Sequence, residues 1–169
     1  MPLSKECGKL PPKTSATTWA STYTIIPEEF YQPTTVPAVQ EIVKRAAAAG
    51  KRVRVVGSCH SPNSCAMSHD IMINLDKLAN VLMVDRENQI VKVCLPATWL
   101  PETSLYCGGC CSRPTRCHKR LPHSQVEGGM RLQDMHTALD AHALAMPNLG
   151  SISEQSIAGA LSTGTHGAL

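Results

Sequence analysis

A chain of 169 residues, 43% of them hydrophobic, is long enough to bury one full core or one core and the start of a second. The net charge of +3 comes from scattered Lys and Arg with no run of like charge, which argues against a nucleic-acid surface. No apolar stretch is long enough to span a bilayer, and residues 1–13 lack the apolar centre of a secretion signal, so a soluble intracellular protein is expected.

Lys5, Lys9 and Lys13 among Ser and Thr give only a faint organelle-targeting pattern in an N-terminal extension, residues 1–26. Val36, Val39, Ile42, Val43, Ala46 and Ala47 then recur at helical spacing, with Thr34 or Thr35 as cap before Pro37 and Gly50 as the stop. Arg52 to Val56 alternates as a strand and runs into Gly57-Ser58, an α/β order. Ile71, Ile73 and Leu75 predict a short strand. Residues 81–84 and 89–93, flanking the turn-forming Asp85-Arg86-Glu87-Asn88, predict a hairpin. Between Met130 and Ala143, Leu132, Met135, Leu139 and His142 share one helical face, and a small-residue segment, 156–164, follows.

Residues 94–125 fit neither period. They hold four prolines and five of the eight cysteines, which marks a local peculiarity and not a disulfide scaffold for the whole chain. Cys107-x-x-Cys110 with Cys111, Cys117, His118 and His123 includes ligand types that zinc accepts, but without a regularly spaced second pair. A small zinc-binding protein is one alternative for the chain.

Two segments carry candidate chemistry. The first, Arg54-Val55-Val56-Gly57-Ser58-Cys59-His60-Ser61, is a strand entering a small-residue turn whose successive backbone N–H groups suit a phosphate; an ordinary strand-to-loop turn explains it equally. It is neither G-x-G-x-x-G nor a P-loop, which disfavours nicotinamide and ATP. His60 at its tip reads either as a hydrogen-bonded loop residue or as a reactive imidazole. The second segment holds Asn148, Gly150, Ser156, Gly159, Ser162, Thr163, Gly164, Thr165 and His166. Its hydroxyls and glycines suit a pyrophosphate or ring edge, and also close helix packing.

In this order the segments resemble the vanillyl-alcohol-oxidase (PCMH) type of FAD-binding domain, and within it the aldonolactone oxidases, the fungal arabinonolactone oxidases in particular. Residues 57–62, 126–132 and 148–167 carry the likeness. The resemblance implies an α+β fold of two subdomains, the first over 27–93 and the second beginning at 126, incomplete at its C-terminus. It implies FAD, linked covalently through His60, with residues 54–61 as pyrophosphate loop and 156–166 as second FAD segment. It further implies oxidation of a sugar 1,4-lactone, with oxygen as acceptor and an ascorbate-like product plus hydrogen peroxide, and association with mitochondrial membranes.

Three departures qualify the resemblance. Cys59 stands where the family usually has Gly, which places a sulfur where backbone should approach phosphate and invites oxidation if it is exposed and its thiolate favoured. Residues 93–125 have no counterpart. Removing them rejoins Ile90-Val91-Lys92 to Val126-Glu127-Gly128-Gly129, and Val93-Cys94 and Gln125 are compatible with splice-site codons, so a translated intron is expected there. The chain also stops at Leu169, before the residues that would handle a substrate, and a non-catalytic remnant with a vacant flavin site is the remaining alternative.

Overall fold

The structure is a computed structural model that describes residues 3–84, 91–94, 124–146 and 150–165. Its strands are β1 (Ala16–Thr17), β2 (Thr24–Ile25), β3 (Glu29–Tyr31), β4 (Val53–Val56), β5 (Ile71–Asn74), β6 (Val81–Met83), β7 (Val91–Cys94) and β8 (Ser124–Glu127). Its helices are α1 (Val36–Ala48), α2 (Leu132–Asp140) and α3 (Ile157–Ser162). The mixture is α+β, as expected.

Helix α1 begins where its sequence says it should. Thr35 is extended, and its hydroxyl accepts the Ala38 N–H at 3.4 Å. Pro37 sits in the first turn, where a missing N–H leaves nothing unpaired. Gly50 follows the helix with φ +64°, in the left-handed region. The buried stripe of Ala38, Val39, Ile42 and Ala46 faces a parallel sheet of order β3-β5-β4.

β5 is the central strand, so both of its faces are covered. Ile71 and Ile73 join the α1 stripe in one core with Tyr31, Leu75, Leu78 and Cys7. Met72 points the other way, onto Val56 and Ala16, where the β1–β2 hairpin covers the sheet. Alternation therefore gave half of β5's burial; the rest comes from the N-terminal residues, which close the second face.

The predicted hairpin between 81–84 and 89–93 is not formed. The second sheet has the order β6-β8-β7: β8 runs antiparallel to β6, with Val81 opposite Val126, and β7 lies parallel on its far side, with Val93 opposite Val126. Both segments have strand character, and anchoring decides which sits beside β6. The Glu127 N–H donates to Asn80 O at 2.8 Å and the Gly129 N–H to Leu78 O at 2.9 Å, while the Glu127 carboxylate accepts from the Asn80 backbone and side chain. Only glycine allows this approach, since a Cβ on Gly129 would lie 1.8 Å from Leu75 O. The turn residues 85–88 lie outside the described residues.

The predicted second helix is shorter than its pattern, running from Leu132 to Asp140 instead of 130–143. Its expected face holds: Leu132, Met135 and Leu139 are buried with Val126, Met130 and Ile157 in a second core. His142 falls in the following turn, and Ala143 turns the chain with φ +56°.

One polar cluster ties the first core together. The Glu29 carboxylate, on β3, accepts from Lys9 Nζ at 2.6 Å, Arg45 Nη2 at 2.5 Å and the Tyr31 hydroxyl at 2.9 Å. Burial pushes its pKa up, but the three donors outweigh burial and bring it down from 4.5 to about 2. Burial and the neighbouring carboxylate push Tyr31 up to about 12. A carboxyl depressed by folding contributes stability that is complete above its ordinary pKa and is lost as pH falls through the folded value. The urea midpoint of the wild type is expected to fall as pH drops from about 4.5 toward 2, with Glu29→Gln less stable at neutral pH and flatter in this window. Parallel acid profiles for the two would contradict the assignment.

Candidate functional site

β4 delivers the chain into the turn 57–61. Val56, its last residue, is buried against Ala16 and Met72, whereas Arg54 and Val55 are exposed on the strand. Beyond it, Cys59 takes φ +56°, a left-handed conformation that favours glycine. Three carbonyls of this turn, and that of Pro62 after it, are tied down. Trp19 donates its backbone N–H to Cys59 O and its indole Nε1–H to His60 O, each at 3.0 Å; Thr22 Oγ1 donates to Pro62 O at 2.6 Å; and Asn74 Nδ2 lies 3.5 Å from Gly57 O. The amides are not. Among the described residues, the N–H groups of Cys59, His60 and Ser61 have no acceptor. Three successive free donors present positive polarity, the arrangement that binds anions.

The His60 ring lies 6.0 Å from that of Trp19, centroid to centroid, and its Nδ1 is buried with no hydrogen-bond partner. A buried imidazole nitrogen without a partner is uncommon.

The second segment meets the turn at Ser156, immediately before α3. Ser156 is 4% exposed, and its Oγ accepts from the Ser58 N–H at 3.2 Å and from Arg131 Nη1 at 2.8 Å. Arg131 Nη2 in turn donates to Asp76 Oδ1 at 2.8 Å. Gly57 packs directly on this serine: a Cβ there would lie 1.9 Å from Ser156 Oγ. Gly150 also packs closely on Thr165, with its would-be Cβ 2.6 Å from Thr165 Cγ2. Gly159, Ser162, Thr163, Gly164 and Thr165 are exposed, and the Ser162 and Thr163 hydroxyls bond back to the Ala158 and Gly159 carbonyls at 2.7 and 3.0 Å.

The structure therefore brings Gly57, Ser58 and Ser156 into direct contact and sets His60 on the same turn. Asn148 and His166 lie outside the described residues. So do Cys107, Cys110, Cys111, Cys117, His118 and His123; among the described residues no three His, Cys, Asp or Glu side chains gather as metal ligands. No described helix is long and apolar enough to cross a membrane. Sequence reasoning missed Trp19, Asp76 and Arg131. Arg131 alone left a trace, a lone charge between Met130 and Leu132 at the start of an amphipathic helix.

Cys59 does not meet the condition set for oxidation. Its side chain packs against the cluster of Ala16, Val56 and Met72. Burial raises its pKa, Asp76 raises it further, and Arg131 offsets this only in part, so the thiolate is disfavoured. Alkylation at neutral pH with an uncharged reagent, followed by peptide mass spectrometry, is expected to modify exposed Cys65 well before Cys59, and buried Cys7 last. Equal rates at Cys59 and Cys65 would contradict this environment.

Residues 27–100 match the family described as FAD binding domain. The chain is 34% identical over 148 residues to L-gulonolactone oxidase of Mus musculus, covering 88% of this chain and 26% of that protein. It is 37% identical over 151 residues to D-arabinono-1,4-lactone oxidase of Yarrowia lipolytica (89% and 23%) and 37% identical over 150 residues to that of Candida albicans (89% and 24%). Among solved structures, cholesterol oxidase from Brevibacterium sterolicum superposes with a TM-score of 0.67 over 98% of this chain and 26% of that one, at 15% identity, which supports the fold.

The fold is thus of the PCMH type, and residues 27–100 match an FAD binding domain. Over most of its length the chain is similar to aldonolactone oxidases, and it spans about a quarter of the length of the curated relatives it matches.

Proposed function

We propose that this chain is the FAD-binding part of a flavin oxidase acting on a sugar 1,4-lactone of the D-arabinono-1,4-lactone type. The observation that carries the reading is the turn 57–61, with the Gly57, Cys59 and His60 carbonyls engaged, the amides of Cys59, His60 and Ser61 without acceptors among the described residues, and a partnerless buried Nδ1 on His60. These features suit a cofactor with both a pyrophosphate and an aromatic ring system. The relatives' names supply the substrate class.

In this reading the free amides and Ser156 hold the pyrophosphate, and the exposed small residues Gly159, Ser162, Thr163, Gly164 and Thr165 flank it without steric hindrance. His60 is the covalent anchor, through a ring nitrogen to the 8-methyl carbon of the isoalloxazine. FAD, when bound, supplies the acceptor for the hydride leaving the lactone. Two hydrogens leave the sugar and reach oxygen, giving an ascorbate-like product and hydrogen peroxide. Trp19 keeps the imidazole in place by fixing the carbonyls on either side of the His60 N–H. Association with mitochondrial membranes belongs to the same reading and rests on family resemblance alone.

Expression in flavin-supplied cells, acid precipitation and a fluorescence test for protein-bound flavin check the anchor. Wild type is expected to retain flavin through precipitation, and His60→Ala to lose it while still binding FAD reversibly. Equal retention by both proteins would remove His60 from this role; absence of any bound flavin in wild type would overturn the reading.

A further inference from the structure

The Ser156 hydroxyl is already saturated as an acceptor. Its oxygen takes the Ser58 N–H and Arg131 Nη1, which uses both lone pairs and leaves its O–H as a donor with no acceptor among the described residues. Arg131 cannot swing away from this duty, because its other terminal nitrogen is held by Asp76 at 2.8 Å, and the backbones of Arg131 and Ser156 pair as an isolated bridge. Asp76 in turn accepts from the Asn74 side chain, whose amide also reaches Gly57 O. One fork thus joins β5's end, the turn 57–61, the start of α2 and the residue preceding α3.

We propose that Arg131, braced by Asp76, is a positioning residue for the pyrophosphate: it fixes Ser156 as a donor and clamps the Ser58 end of the turn so that the free amides at 59–61 converge with it. This rests on the FAD reading above. The role needs two donors in one plane, which a guanidinium has and an ammonium lacks. It differs from simple charge attraction, because Nη1 and Nη2 each already give an N–H, to Ser156 and to Asp76, which fixes the plane of the group.

The test is equilibrium binding of FAD and of riboflavin, which has no phosphate, to the full chain carrying His60→Ala, so that binding is reversible. Arg131→Gln, Arg131→Lys, Ser156→Ala and the Arg131→Gln/Ser156→Ala pair are added to it, with circular dichroism as folding control. Arg131→Gln and Arg131→Lys are both expected to weaken FAD by about tenfold or more, the scale of a lost charge-assisted hydrogen bond, with riboflavin unchanged. The double variant should be no weaker than the worse single one.

Lysine restoring wild-type affinity would show that charge alone matters and overturn the proposal. So would equal loss of FAD and riboflavin, which is the mark of a merely structural role, or additive losses in the pair. FAD affinity unchanged in Arg131→Gln would overturn the proposal and leave the FAD reading standing. A parent chain that binds no FAD would overturn both, and if the glutamine variant fails to fold, the lysine variant decides.

Discussion

A side chain at residue 57 would put its Cβ 1.9 Å from Ser156 Oγ, and the candidate site depends on that contact. Because Gly57 has none, two segments almost a hundred positions apart in sequence touch, and Ser58 can give its N–H to the Ser156 hydroxyl. Everything else at the site supports this approach: Trp19 and Thr22 hold the turn from one side, and Arg131 with Asp76 holds Ser156 from the other. The result is a turn in which the Cys59 and His60 carbonyls are engaged and, among the described residues, the amides of 59–61 are not. That imbalance is what a diphosphate needs from a neutral stretch of backbone.

The two cores meet through the same region. The first is built on α1 and the β3-β5-β4 sheet, the second on α2, α3 and Val126, and Gly129 brings the second strand onto the backbone around Leu75 and Leu78. With the two cores joined there, the Arg131 guanidinium reaches Asp76 between them, partly exposed on both sides. A pair in that setting contributes little by charge alone, so its value lies in geometry. Cys59 fits the same logic. Left-handed backbone at that residue costs a non-glycine side chain about 1–2 kcal/mol, and burial of its sulfur against Val56 and Met72 offsets part of the cost.

Much of this was legible in the sequence, because it is local. The period of 36–49 and the face of Leu132, Met135 and Leu139 report on neighbours three or four positions away, and the strand into Gly57 on neighbours two away. Pairing choices are not local. The 91–94 segment reads as β6's hairpin partner, yet β8 occupies that place because Glu127 and Gly129 are tied to Asn80 and Leu78. The Trp19 clasp and the Glu29 cluster escaped for the same reason: their partners lie far along the chain, and neither leaves a periodic trace. Motif likeness, by contrast, pointed to the turn and the serine directly.

The central claim is that the free amides of 59–61 are the diphosphate site. Backbone amide hydrogen exchange, resolved by residue in the His60→Ala chain with and without FAD, tests it most directly. The account predicts slowed exchange at Cys59, at residue 60 and at Ser61 with FAD, and no slowing there with riboflavin. FAD binding that leaves these three amides exchanging as in the free chain would contradict it.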